Sequence, residues 1–171
     1  MPQGKVMVTG HRSLPTGDWS PVVSELGRCL GKLAEDRGPL IAIHGLALGA
    51  DMLFAEAALS QGHAVWSFEP FAGQESRWPE AERARHARIK AASERTVTLA
   101  EAPGDDRGLA VRLLHARNDR MLAEADMVIA VLDERGKGGS YSAARKALTR
   151  GLPVLRINPD RRRTSWIRRL D

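Results

Sequence analysis

The stretch DMVIAVLDERGKGGSYSAARKA, residues 126–147, decides the fold. DMVIAV is the strongest strand signal in the chain. A glycine-rich turn follows at Gly136-Lys137-Gly138-Gly139, and a helix-forming segment follows the turn. Strand, glycine turn and helix in this order are how α/β proteins offer free backbone N–H groups to a phosphate. The alternative is a plain flexible loop ahead of a helix.

Outward from that stretch the pattern repeats. KVMVTG (5–10), LIAIHG (40–45), HAVWSFEPF (63–71), the weaker RTVTLAE (95–101) and LPVLRIN (152–158) read as strands. Between them lie helical segments. In the first, Trp19, Val22, Val23, Leu26, Leu30 and Leu33 share one face, Asp18 can cap its start and Gly38 can end it. GADMLFAEAALSQG (49–62), PEAERARHARIKAASE (79–94), LAVRLLHARNDRMLAEA (109–125) and SYSAARKALTRG (140–151) are the others. Alternating strands and helices imply βαβ units, and near-continuously apolar strands imply a sheet covered on both faces. The expected architecture is a Rossmann-like three-layer α/β/α sandwich with a mostly parallel central sheet. It would span residues 1–159, followed by a short basic tail, DRRRTSWIRRLD, at 160–171.

At 171 residues and 43% hydrophobic, the chain can bury a real core, and wholesale disorder is excluded. No apolar run approaches the roughly 18 residues of a membrane span, and MPQGKVMVTG has no signal-peptide layout; a cytoplasmic protein is expected. The single cysteine, Cys29, excludes a disulfide framework and sits at helical spacing among leucines, as a buried thiol would. The histidines lack ligand-like spacing, so no metal and no resident cofactor are expected. The net charge is +5, of which the tail supplies +3, so whole-chain basicity says little about nucleic acid.

Ligands of such sheets bind beyond the carboxyl ends of the strands. Collected there are Thr9, Gly10, His11 and Arg12 after the first strand, and Gly45, Gly49 and Asp51 after the second. Glu69 ends the third, and Gly138, Gly139 and Ser140 follow the strongest. His11 and Arg12 suit an anion, the glycine turns offer N–H groups, and Asp51 or Glu69 could bind ribose hydroxyls. His44, inside an apolar run, reads as a structural histidine. Neither glycine turn matches GxxxxGK[ST], and no GxGxxG follows the first strand. A standard triphosphatase and a standard dinucleotide dehydrogenase are disfavoured.

Three segments then resemble a known group. HGLALGADMLFAEAALSQGHAV (44–65) is similar to the SGxARGID-like strand–helix unit of the DNA-processing DprA family. HARNDRMLAEADMVIAV (115–131) is similar to that family's RN-bearing helix end before its strong strand, and to the RKxxM helix of the LOG phosphoribohydrolases. GGSYSAARKALTRGLPVLRIN (138–158) resembles the GSxxTA turn of the first family and the PGGxGTxxE loop of the second. Together these make up the SLOG superfamily, which includes small stand-alone YpsA-like members. The resemblance implies a Rossmann-like domain that holds a nucleotide-like small molecule. It adds Arg117 as a phosphate partner, with Asn118 beside it, and Ser142 at the position of the LOG threonine. It also implies a homo-oligomer, because related proteins pair through helices beside the site. Arg145 falls where LOG enzymes carry a catalytic glutamate, which predicts little hydrolysis of nucleoside monophosphates. The readings are a nucleotide-binding module, a nucleotide N-glycosidase, and a single-stranded nucleic-acid binder.

Overall fold

Continuously apolar strands need cover on both faces, and the chain supplies it with helices of two groups. The structure, a computed structural model, describes residues 4–170. In chain order it forms β1 (Gly4–Gly10), α1 (Ser20–Arg37), β2 (Leu40–His44), α2 (Ala50–Ser60), β3 (Ala64–Glu69), α3 (Glu80–Ala92), β4 (Arg95–Thr98), α4 (Arg107–Glu124), β5 (Met127–Val131), α5 (Gly139–Thr149), β6 (Val154–Asn158) and β7 (Arg163–Ile167). The strands make one sheet in the order β4-β3-β2-β1-β5-β6-β7. All neighbours are parallel except β6 and β7. This is the expected three-layer α/β/α architecture.

Side-chain alternation along β1 assigns the two faces. Val6 and Val8 pack with Leu26 and Leu30 of α1 and with Met52 and Phe54 of α2. Met7, between them, points to the other face and packs with Met121 and Leu122 of α4 and with Tyr141 and Ala144 of α5. Strands β2 and β5 are buried at every position, which is why they read as unbroken apolar runs. Cys29 is buried in the first layer, and burial pushes its thiol pKa up. Among the described residues no helix is long and apolar enough to cross a membrane.

Two local expectations need correction. Asp18 does not cap α1: the cap position is Trp19, and Asp18 lies one residue before it, where it accepts the Ser20 N–H at 3.0 Å. LPVLRIN is not the last strand: the short basic stretch after residue 159 contributes a further one. Residues 163–167 form β7, antiparallel to β6, with Val154 opposite Ile167 and Asn158 opposite Arg163. Thr164 donates to Glu25 Oε2 of α1 at 2.6 Å, and Arg161 pairs with Glu134 at 2.8 Å. Hydrogen bonds from Arg28 and Thr164 hold the Glu25 carboxyl down at about 2. A charged strand on a sheet edge also discourages edge-to-edge pairing.

The strand order decides where a ligand can enter. From β1 the chain steps outward to β4, then returns through α4 to place β5 on the other side of β1. The reversal between β1 and β5 leaves a crevice at their carboxyl ends, flanked by helices that leave in opposite directions.

Candidate functional site

That crevice is a cavity of about 300 Å³. Its walls are Thr9, Gly10, His11 and Arg12 after β1, Asp51 of α2, Arg117 and Asn118 of α4, and Gly138, Gly139 and Ser140 at the start of α5. Val8, Leu114 and Met121 add apolar surface. Ten of the residues read from the sequence as candidates thus share one cavity.

The α5 side is open. Gly138 sits at φ +105°, ψ 176°, a conformation that side-chain-bearing residues rarely adopt. Beyond the adjoining backbone, no atom of the described residues lies within 4 Å of where a Cβ would stand on Gly138 or Gly139. The helical ladder starts with the Ser142 N–H donating to Gly138 O at 3.1 Å. The N–H groups before it are left for an outside acceptor, and no side chain caps them. The first turn of α5 holds no acidic residue. On the opposing turn Arg12 is exposed and, among the described residues, has no side-chain hydrogen bond or ion pair. The Arg12 guanidinium, whose charge favours the ionised Asp51 carboxylate, and an uncapped helix N-terminus line the same cavity.

The floor is committed to the protein itself. Arg117 is 5% exposed; its Nη1 donates to Gly45 O at 2.6 Å, and its Nε donates to Asn118 Oδ1 at 2.9 Å. Asp51 Oδ2 accepts the Gly45 N–H at 2.7 Å. A Cβ on Gly45 would stand 2.2 Å from Arg117 Nη1 and 2.8 Å from Asp51 Oδ2, so the two charges converge on the bare glycine. Burial pushes the Asp51 carboxyl up and the Arg117 guanidinium down, and each opposes the other's shift. Arg117, expected to grip a phosphate, lines the cavity and also ties α4 to the end of β2.

His11 is likewise turned inward. Its Nε2 accepts the Asp133 N–H at 3.0 Å and lies 3.2 Å from Asp133 Oδ1. Burial lowers the His11 pKa and outweighs the Asp133 charge. Asp133 is itself buried, which raises its pKa, but hydrogen bonds from the Arg135 backbone and guanidinium carry it below the usual range. Tyr141 and Arg156 both donate to Asp133 O. This clamp joins the ends of β1, β5 and β6 to α5. Sequence reading missed Tyr141 and Arg156; the only signal for Asp133 was its place directly after the β5 run.

Four candidates lie elsewhere. Gly45 and Gly49 were read as openings for a ligand, but protein atoms fill those openings. A Cβ on Gly49 would stand 2.4 Å from His11 O, because β1's outgoing turn packs on α2 and the Ala50 N–H donates to His11 O. Glu69 is 1% exposed, ion-paired with Lys90 of α3 at 2.5 Å, and turned away from the cavity. Ser142 lines a shallow outer depression with Asp119, Arg145 and Lys146. Arg145 is exposed there and does not line the cavity, so its charge gives no argument about chemistry inside it.

His44 is the structural histidine expected. The Leu46 N–H donates to its Nδ1 at 3.2 Å, so Nε2 carries the proton and donates to Ser67 Oγ at 2.7 Å. Ser67 and Ser93 pass the chain on to Ile89 O. Burial first, then the Arg117 and His86 charges, lowers the His44 pKa from 6.5 to about 3. The unfolded chain therefore takes up this proton before the native protein does. The stability is complete above pH 6.5 and falls as pH drops towards 3, at up to about 1.4 kcal/mol per pH unit. His11, His63 and His86 are lowered too and add to the slope. In urea unfolding across this range, His44→Gln should flatten the slope by up to one proton. An unchanged slope would contradict the buried neutral ring.

No family model matches the chain, and no curated protein matches it. Solved structures do. DNA processing protein A (DprA) from Streptococcus pneumoniae matches with a TM-score of 0.63 at 22% identity, over 90% of this chain and 50% of that one. DprA from Helicobacter pylori, solved for its single-stranded DNA binding mode, matches with a TM-score of 0.56 at 22% identity, over 90% of this chain and 64% of that one. The protein TM1055 matches with a TM-score of 0.55 at 18% identity, over 89% and 72%. The chain shares the Rossmann-like fold of these structures, and it spans about half the length of the pneumococcal protein.

Proposed function

We propose that this chain binds a phosphate-bearing, nucleotide-type ligand in the cavity between the ends of β1 and β5. One observation carries the reading: the uncapped start of α5 at Gly138–Ser140 and the exposed Arg12 line the same cavity. Backbone N–H groups at a helix N-terminus and a guanidinium are complementary to a phosphate. The volume of about 300 Å³ is at the small end for ligand sites and suits a mononucleotide rather than a dinucleotide. Among the residues lining the cavity Asp51 is the only acid, and it is the candidate partner for a ribose hydroxyl.

The reading is one of binding rather than hydrolysis. Cleaving a ribosyl bond needs a carboxylate free to meet the developing positive charge. Asp51 is held by the Gly45 N–H and the Arg117 charge. A second reading, single-stranded nucleic acid, is favoured by the likeness to the H. pylori DprA structure.

Isothermal titration with nucleoside mono- and diphosphates, alongside a short oligonucleotide, tests both. Arg12→Ala should weaken mononucleotide binding about 10- to 100-fold, the range of one charge-assisted hydrogen bond, with an unchanged melting temperature. Ser140→Pro should weaken it similarly: it removes an N–H at a first-turn position that tolerates proline. Binding unaffected by both changes would reject the site. Binding of the oligonucleotide alone, with strong salt dependence, would favour the second reading.

A further inference from the structure

Away from the cavity, three ligand-type side chains meet without completing any hydrogen bond between them. Glu69 ends β3, Glu75 lies in the loop that follows, and His86 is on α3. His86 Nε2 lies 3.6 Å from Glu75 Oε2 and 3.9 Å from Glu69 Oε2, and these atoms are all within 4.8 Å of one another. His86 Nε2 and Glu75 Oε2 are buried atoms with no hydrogen-bond partner among the described residues. The His86 side chain is 3% exposed and the Glu69 side chain 1%. Separations of 3.6 and 3.9 Å are too long for hydrogen bonds, and a buried ring nitrogen left without one is costly. Something is needed between these atoms.

We propose that Glu69, Glu75 and His86 bind a divalent transition-metal ion of the zinc type. A tetrahedral ion with ligand bonds of about 2.0–2.2 Å holds its ligand atoms roughly 3.3–3.6 Å apart. The two His86 separations, 3.6 and 3.9 Å, reach that with movements of a few tenths of an ångström, and the two carboxylates, within 4.8 Å of each other, close around the ion through the Glu75 loop. One imidazole and two carboxylates make a nitrogen–oxygen set that suits zinc or cobalt better than magnesium or calcium. Trp78 packs edge-on against the His86 ring, with centroids 5.7 Å apart, and fixes its direction. Lys90 and Thr98 hold the other Glu69 oxygen, which leaves Oε2 for the ion. Burial lowers the His86 pKa despite the two carboxylates, so the ring offers a lone pair at neutral pH. Glu75 is 28% exposed and gives a path of entry. Three protein ligands leave a fourth position for water. The ion would pin the 70–79 loop to α3. That loop's Gln74 donates to Gly45 O and Leu46 O, next to the cavity floor.

The test uses untagged, chelator-treated protein titrated with Co²⁺ and followed by its visible absorption, then with Zn²⁺ in competition. One equivalent should bind, with the intense bands of a four-coordinate site, and zinc should displace it. Glu75→Gln, at a partly exposed loop position that leaves the core intact, should weaken Co²⁺ binding more than about tenfold, and His86→Gln should abolish it. His115→Gln, an exposed α4 position outside the cluster, should change nothing. Saturation unaffected by Glu75→Gln, displacement by a modest excess of Mg²⁺, or no saturable binding would each overturn the proposal. Circular dichroism of the Glu75 variant separates lost ligation from lost folding.

Discussion

Replacing Arg117 by methionine should cost about 3–5 kcal/mol of stability, because it strips a buried carboxylate of its charge partner. In a chain of this length that corresponds to a melting temperature lower by roughly 6–20 °C. Asp51 is 6% exposed, Gly45 O would lose a 2.6 Å donor, and α4 would lose its tie to the end of β2. The pair should also be strongly coupled. Asp51→Asn in the Arg117→Met background should cost far less than the two single changes added together, since it removes the stranded charge. Calorimetry on the two singles and the double gives the coupling. Additive losses would show that the two charges do not sense each other, and would return Arg117 to the pool of free phosphate partners.

Gly49→Ala should be nearly as damaging, at about 3 kcal/mol or more, for two separate reasons. Gly49 sits at φ +79°, ψ −125°, where an alanine is strained by about 1–3 kcal/mol. Its new Cβ would also stand 2.4 Å from His11 O and 2.7 Å from Arg12 O, both backbone atoms with no rotamer to yield. The turn carrying His11 and Arg12 must then move off α2. Whatever fraction of the variant still folds should bind phosphate ligands poorly, since Arg12 is displaced with the turn. Denaturant unfolding measures the first effect and titration of the folded variant the second. Gly138→Ala is the contrasting case. It carries the strain of φ +105° but meets no atom beyond the adjoining backbone within 4 Å, so its effect should be smaller and concentrated on binding.

Those two glycines also show where a sequence can be read and where it cannot. Both follow a strand and precede a helix, and locally they look alike. What distinguishes them is distant in the chain: His11 approaches Gly49 from 38 positions away, and nothing approaches Gly138. The same holds for Gly45, whose space is taken by Arg117, 72 positions on. The sheet was legible because it depends on local pattern. Unbroken apolar runs such as LIAIH and MVIAV reported strands covered on both faces, and the strand–helix alternation reported their parallel order. Strand β7 was not legible, because RTSWI is short, lies between arginine pairs, and is an edge strand with one sheet neighbour, Ile167 against the core and a hydrogen bond from Thr164 to Glu25. Glu69 was placed at the correct end of β3, but its side chain is claimed by Lys90 on the helix beyond. The Glu69–Glu75–His86 cluster draws on a strand end, a loop and a helix, so no spacing rule could have announced it.

The site therefore divides into two parts. The inner wall, built on Arg117, His11 and Asp133, spends its polar groups on the fold, and Asp51 gives Oδ2 to the Gly45 N–H. The outer part, Arg12 and the first turn of α5, keeps its polar groups free. Binding specificity should accordingly respond to changes in the outer part at little cost in stability, whereas changes in the wall should unfold the chain before they alter its preference.

The central claim is tested most directly by a crystal structure of the protein grown with a nucleoside monophosphate. Phosphate density is expected between Arg12 and the backbone N–H groups of Gly139 and Ser140, with the sugar directed towards Asp51. Phosphate bound instead in the outer depression beside Arg145 and Lys146, or an empty cavity at saturating ligand, would contradict it.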